Sequence, residues 1–193
     1  MLVDANGIGE PRWIDLSPLG TRPPPRSELY ALGYDGVNNR LLVFGGYRWR
    51  GIEYNDVWVL QHANGLGGAP EWQQLAPDGT APDPRANMPS HYDPNSNRLI
   101  VFGGLRQGAT PAAVFDETWV LSNANGLDGT PRWSRLASSG AIPAPRRSHA
   151  AVYDPRSNRL VTGLGYNDLS GETLNDAWVL SNASGNCCLL YTS

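Results

Sequence analysis

The chain has 193 residues, a formal net charge of −3, 17% charged residues and 40% apolar ones; Gly (22) and Pro (16) are too frequent for a helical bundle, while seven Trp and eight Tyr are too many aromatics for disorder. No run of about 18 apolar residues is present to span a membrane, no basic-then-apolar leader opens the chain, and the acidic balance excludes a nucleic-acid footprint built on overall basicity. All 15 basic residues are Arg, which reads as genome composition before chemistry.

Internal repetition organises what remains. Trp58, Trp119 and Trp178, each in a Trp-Val-Leu, are spaced by 61 and 59 residues, and Trp13, Trp72 and Trp133 by 59 and 61. Pro25-Arg26, Pro84-Arg85 and Pro145-Arg146 keep the same period, as do Tyr34, Tyr92 and Tyr153, each followed by Asp and then by Asn39, Asn97 or Asn158. In chain order the pattern predicts strands over 40–45, 56–61, 71–75, 88–93, 98–102, 118–122, 132–136 and 159–163. Hairpin signals such as Asp93-Pro94-Asn95-Ser96-Asn97 separate them. No segment of ten residues carries a helical period. Four antiparallel strands per unit, repeated radially, describe a β-propeller blade.

Hydrophobic runs ending in paired glycines, Leu41 to Gly46 and Leu99 to Gly104, followed by Asn55-Asp56-Val57-Trp58 and an isolated Trp near the unit's end, resemble kelch repeats. The resemblance covers residues 1 to about 185 and implies an all-β, partial kelch-type β-propeller of four-stranded antiparallel blades. The long turn Asn64-Gly65-Leu66-Gly67-Gly68 is similar to the bacterial form of the repeat. Two departures stand out: Gly163-Leu164-Gly165 replaces the glycine doublet in the third copy, and Asp116-Glu117 replaces Asn-Asp in the second. The expected organisation is the end of a preceding blade (1–16), two complete blades (17–76 and 77–136), an incomplete blade (137–185) and a non-native tail (186–193). Cys188–Ser193 resembles a translated sequencing adapter, and both cysteines fall in that tail, so disulfide, thiolate-metal and Cys-nucleophile readings fall with it. Propellers close with roughly four to eight blades. The chain therefore reads as a fragment whose first partners are the remaining blades of a longer protein.

A meander sends its connections alternately to two ends, so the second-to-third and fourth-to-first connections share one face. On the opposite face Asp35, Asp93 and Asp154 open near-identical turns, and capping of their own backbone explains them better than calcium ligation. The first face varies between copies, which is where a binding site belongs. Its candidate ligand contacts are Tyr47, Arg48, Trp49 and Arg50 in the first loop, Arg106 in the second, and Tyr166, Asn167 and Asp168 in the third. Trp49 fits neither Trp series and sits between two arginines, a combination suited to sugars, carboxylates or peptide side chains; the competing reading folds it back over its own loop. Arg26, Arg85 and Arg146 recur in every unit and read as pairing with a neighbouring blade rather than lining the channel mouth. The face holds eight Arg against five acidic residues, so an anionic partner is expected.

His62, His91 and His149 occupy non-equivalent positions, which gives no metal set, and no Gly-x-Ser-x-Gly or phosphate-binding motif is present. No cofactor is expected. The favoured function is a non-catalytic module recognising a protein or carbohydrate ligand, in an extracellular or cell-surface setting. The alternative is part of a kelch-propeller enzyme acting on carbohydrate, epimerase- or oxidase-like, with its site at the channel mouth.

Overall fold

The computed structural model describes residues 2–3, 10–28, 31–49 and 51–185, Leu2 and Val3 by their backbone alone. Those residues form strands and turns without a helix. A two-residue pair, β1 (Leu2–Val3) with β2 (Arg12–Trp13), opens the chain. The first blade follows as β3 (Leu32–Asp35), β4 (Arg40–Phe44), β7 (Val57–Gln61) and β8 (Glu71–Leu75). The second is β9 (Ser90–Asp93), β10 (Arg98–Phe102), β13 (Thr118–Ser122) and β14 (Arg132–Arg135). The third contains β15 (Ala150–Asp154), β16 (Arg159–Gly163) and β19 (Ala177–Ser181). Every sheet is an antiparallel meander in sequence order.

Side-chain alternation explains the stacking. On β10, Leu99 and Val101 point into a core shared with Leu42, Phe44, Val57 and Val59 of the first blade, with Trp133 closing it. The intervening Ile100 and Phe102 point the other way, to Val120, Leu160 and Ala183. A strand buried on both faces reads as an unbroken apolar run, and that is why Leu-Ile-Val-Phe lacks the usual polar alternation. The outward faces of the flanking sheets are open: Leu32 and Tyr34 on one side, Val152, Val161 and Val179 on the other, are exposed.

The sequence-derived strands lie within about two residues of those observed. Two differences are physical. Each second-to-third connection folds back as a short hairpin: β5 (Tyr47–Arg48) with β6 (Ile52–Glu53), β11 (Leu105–Arg106) with β12 (Ala113–Val114), and β17 (Tyr166–Asn167) with β18 (Glu172–Thr173). Trp58 and Trp119 are buried, as their place in the pattern implies, but Trp178 is only half-buried, because no described strand pairs with the outer edge of β19. The expected tail at 186–193 lies outside the described residues. Truncating Trp119 to Ala removes a well-packed indole and is expected to cost about 3–5 kcal/mol in denaturant unfolding, whereas Trp178→Ala costs clearly less.

Candidate functional site

The loop face is held in place by the recurring Pro-Arg. Arg85 and Arg146 are fully buried and Arg26 nearly so. Each guanidinium stays in its own blade. Arg26 grips Asp56 through both terminal nitrogens (2.6 and 2.9 Å), Arg146 grips Asp176 the same way (2.6 and 2.7 Å), and Arg85 donates once to Glu117 (2.9 Å). Each also donates to the carbonyl that follows the second strand, Gly45, Gly103 or Leu164. The same carboxylate accepts the indole N–H of the Trp two residues on, at 2.6, 2.9 and 2.7 Å for Trp58, Trp119 and Trp178. Two landmarks of the repeat, Pro-Arg and Trp-Val-Leu, are thus the two ends of one network. Contrary to the expectation from its recurrence, the arginine side chain does not pair with a neighbouring blade, because only its backbone crosses. The Arg85 N–H donates to Tyr54 O and its carbonyl accepts from Gly46 N–H, and Arg146 repeats both bonds with Phe115 and Gly104.

The next residue fixes the hairpin. Ser27 exchanges two backbone hydrogen bonds with Tyr47, Ala86 with Leu105, and Arg147 with Tyr166. Trp49 stands at the first hairpin's tip, 82% exposed, so it does not fold back over its loop. Arg48 beside it is exposed, Tyr47 is half-buried with its hydroxyl accepting the Gly51 N–H, and Arg50 lies outside the described residues. Glu53 ties this hairpin to the next blade by accepting the Gln107 and Gly108 N–H groups at 2.8 and 3.0 Å. Arg106, half-buried, lies on that neighbouring hairpin. Among the described residues Arg22, Arg48 and Arg106 take part in no ion pair.

The third hairpin is internally spent. Arg147 donates to both oxygens of Asp168 (2.7 and 3.1 Å) and lies 4.9 Å from the Tyr166 ring. Asn167 is buried and its Oδ1 accepts the Leu169 N–H, which is turn chemistry. The cationic surplus expected for this face also shrinks. Three of its eight arginines are neutralised by Asp56, Glu117 and Asp176, acids missing from the sequence count, and including them brings the surplus from three to zero.

On the opposite face the three turn aspartates accept backbone N–H groups two residues on, from Val37, Asn95 and Arg156. Asp35 and Asp93 also accept the Tyr92 and Tyr153 hydroxyls of the next blade, at 3.2 Å each. Burial pushes the Asp35 carboxyl up, but hydrogen bonds from Asn125, Asn38 and Tyr92 outweigh it and hold the group below its ordinary range. Among the described residues no three His, Cys, Asp or Glu side chains gather to hold a metal. His149 is buried with neither ring nitrogen hydrogen-bonded, edge-on to Phe102 at 5.3 Å.

Residues 8–186 match the family model described as the KLHDC2/KLHL20/DRC7 Kelch-repeats domain. The chain belongs to the kelch-repeat family. The flagellar outer-arm dynein alpha chain of Chlamydomonas reinhardtii is 35% identical over 155 residues, covering 79% of this chain and 3% of the dynein. Human Host cell factor 1 is 30% identical over 167 residues, 81% of this chain and 8% of that protein. The kelch chain thus spans a small part of each. These relatives are eukaryotic and lend no support to a bacterial form of the repeat. The solved structure of YjhT aligns over 81% of this chain and 43% of its own with a TM-score of 0.57; at 16% identity it shows the fold alone.

Burial, with a smaller push from Arg146, holds the His149 imidazole down at about 4 against an ordinary value of 6.5. The unfolded chain then binds this proton first, so the stability His149 contributes is complete above pH 6.5 and is lost as pH falls towards 4. The full loss is about 3 kcal/mol. Thermal melts of the parent and His149→Phe at pH 7 and 5 are expected to show a smaller acid-induced drop in the variant.

Proposed function

We propose that this kelch domain is a non-catalytic recognition module that binds a protein or carbohydrate ligand on the hairpin face of its first two blades. The observation that carries the reading is Trp49: a large aromatic 82% exposed on a hairpin whose base is fixed by the Ser27–Tyr47 pairing and whose flank is braced by Glu53. An exposed indole on a pre-formed support loses little conformational freedom on binding, which is how aromatic anchors work in recognition sites. Arg48 next to it and Arg106 on the neighbouring hairpin, both without an ion pair among the described residues, offer planar donors for carboxylate, hydroxyl or backbone oxygens. Tyr47 completes the first hairpin's contribution, and Arg50 is included on the sequence alone, as the residue that follows Trp49. Tyr166, Asn167 and Asp168 form the far border, with Tyr166 the contact surface and the other two holding the turn.

A preference for anionic partners rests on Arg48 and Arg106 and not on the charge of the whole face. The enzyme alternative needs free polar groups converging from different blades, and the three recurring arginines are buried in their own blades, bound to Asp56, Glu117 and Asp176. Trp49→Ala is expected to weaken ligand binding by about 1–3 kcal/mol while shifting unfolding stability by less than about 0.5 kcal/mol. A glycan and peptide array probed with both forms, followed by titration of the hits, tests this; equal binding by both forms removes the assignment.

A further inference from the structure

The seam between the first and second blades and the seam between the second and third are stitched alike at both ends. On the hairpin side the Arg85 N–H donates to Tyr54 O (3.1 Å) and Gly46 N–H to Arg85 O (2.9 Å); Arg146, Phe115 and Gly104 repeat both bonds across the second seam, at 3.0 and 2.9 Å. Next to them Asn87 N–H donates to Glu28 O at 3.2 Å, and Ser148 N–H to Asn87 O at 2.8 Å. On the opposite side the Tyr92 hydroxyl donates to Asp35 and the Tyr153 hydroxyl to Asp93.

Between these ends, two positions of the repeat change character. Three residues after the arginine, the second copy carries Met88, buried in the apolar core of the first seam with Phe44 and Leu99. The third copy carries His149 there, buried in the second seam against Phe102. One residue before the strand tyrosine, the copies carry Gly33 and His91, in matching register opposite Leu42 and Ile100. Gly33 lies so close to the second blade that a Cβ on it would come within 2.8 Å of the Tyr92 Cβ. His91 faces the third blade, because Ser90 and Tyr92 on either side of it bond Leu32 O and Asp35 of the first. The first seam therefore closes on methionine and glycine, and the second on two imidazoles. His62, the remaining histidine, sits in the turn after β7 and belongs to neither seam.

Neither imidazole is accommodated as a cation. Both ring nitrogens of His149, and Nε2 of His91, are buried without a hydrogen-bond partner. Glycines of both blades confine His149: a Cβ on Gly103 would come within 2.9 Å of its Cε1, and a Cβ on Gly165 within 2.7 Å of its Cβ. The charge that acts on His149 is that of Arg146, a cation whose own carboxylate partner is Asp176. His91 hydrogen-bonds the Ala151 backbone of the third blade. Asp93 and Tyr153 are spent on each other at the far end of the seam, where Arg98 donates to Ser184 O at 2.7 Å.

We propose that the second seam is an acid-operated joint: protonation of His149 and His91 releases the third blade from the second, while the first two blades stay together. A proton added here creates a charge and an N–H without an acceptor, and separation of the blades is what brings water to both. The third hairpin travels with its blade, because Tyr166 is bonded to Arg147, whereas Glu53 holds the first two hairpins to each other. The joint stands on the seam alone and does not depend on what the hairpin face binds.

Burial holds both imidazoles below the ordinary 6.5, His149 at about 4. The opened seam therefore takes up the proton first, and opening grows as pH falls below 6.5. Through His149 alone the open population rises about 25-fold between pH 7 and pH 5.

Hydrogen exchange read by NMR on the 193-residue chain at pH 7 and 5, expressed as protection factors so that the intrinsic pH dependence cancels, tests the joint. Protection of the Gly104, Arg146 and Ser148 amides is expected to fall at least about 20-fold, and that of their counterparts Gly46, Arg85 and Asn87 by less than about three-fold. His149→Met, which installs the second copy's residue, is expected to retain the parent's circular dichroism and to remove most of the difference between the seams. His91→Val, which installs the third copy's residue, is expected to reduce that difference by a smaller factor. An equal fall at both seams of the parent overturns the proposal, because the acid response then belongs to the whole chain. So does a fall at the second seam that persists undiminished in both variants, since a carboxylate such as Asp93 then carries it.

Discussion

The buried arginine of each Pro-Arg is the interaction on which the rest depends. A guanidinium out of contact with water is costly unless its donors are matched, and one partner removed from such a pair leaves an uncompensated charge. Arg85 shows how the match is made. Its side chain meets the carboxylate of Glu117 and the carbonyl of Gly103, its ring neighbour is Phe115 at 3.8 Å, and its own backbone crosses to the blade before it. Burial pushes its pKa down and Glu117 pulls it back up, while desolvation of Glu117 is outweighed by Trp119 and Arg85. One residue therefore locks the third strand of its own blade, through the acid and the indole, and the second-to-third connection of the previous blade, through the main chain.

Much of this was legible in the sequence, because repetition makes a weak local signal strong. The 59–61 residue period located the blades, and the glycine doublets and Asn-Asp-x-Trp located strand ends. The pairing of Arg26 with Asp56 was harder to see, since the two lie 30 residues apart and the second copy carries Glu117 where the others have Asp. Both residues repeat, however, and an arginine and an acid that recur together at a fixed offset are a signal that could have found the pair. The short hairpins gave no such signal: two-residue strands such as Tyr47–Arg48 have too few positions to show alternation, and backbone bonds to Ser27 rather than side chains define them.

The candidate site was legible in part and for the same reason. Trp49 stood out because it broke both Trp series, and its exposure follows from a tip position where neither sheet face is available to cover it. Asp168 and Asn167 looked equally available, yet their short side chains serve Arg147 and the Leu169 amide. Charge counting misled because burial, not sequence, decides which arginines face a ligand. The scaffold spends its repeating polar residues on itself, whereas Arg48 and Arg106, which do not repeat, take part in no ion pair among the described residues.

Native-state hydrogen exchange on the parent chain and an Arg85→Met variant tests the arginine's double role most directly. Faster exchange is expected at Gly46, which bonds the arginine's backbone in the first blade, and at the Trp119 indole N–H, which shares its carboxylate in the second. The equivalent groups stitched by Arg146, Gly104 and the Trp178 indole, should keep their protection relative to the global opening. Accelerated exchange confined to the second blade would contradict the account, because the arginine would then hold its own sheet together without joining it to its neighbour.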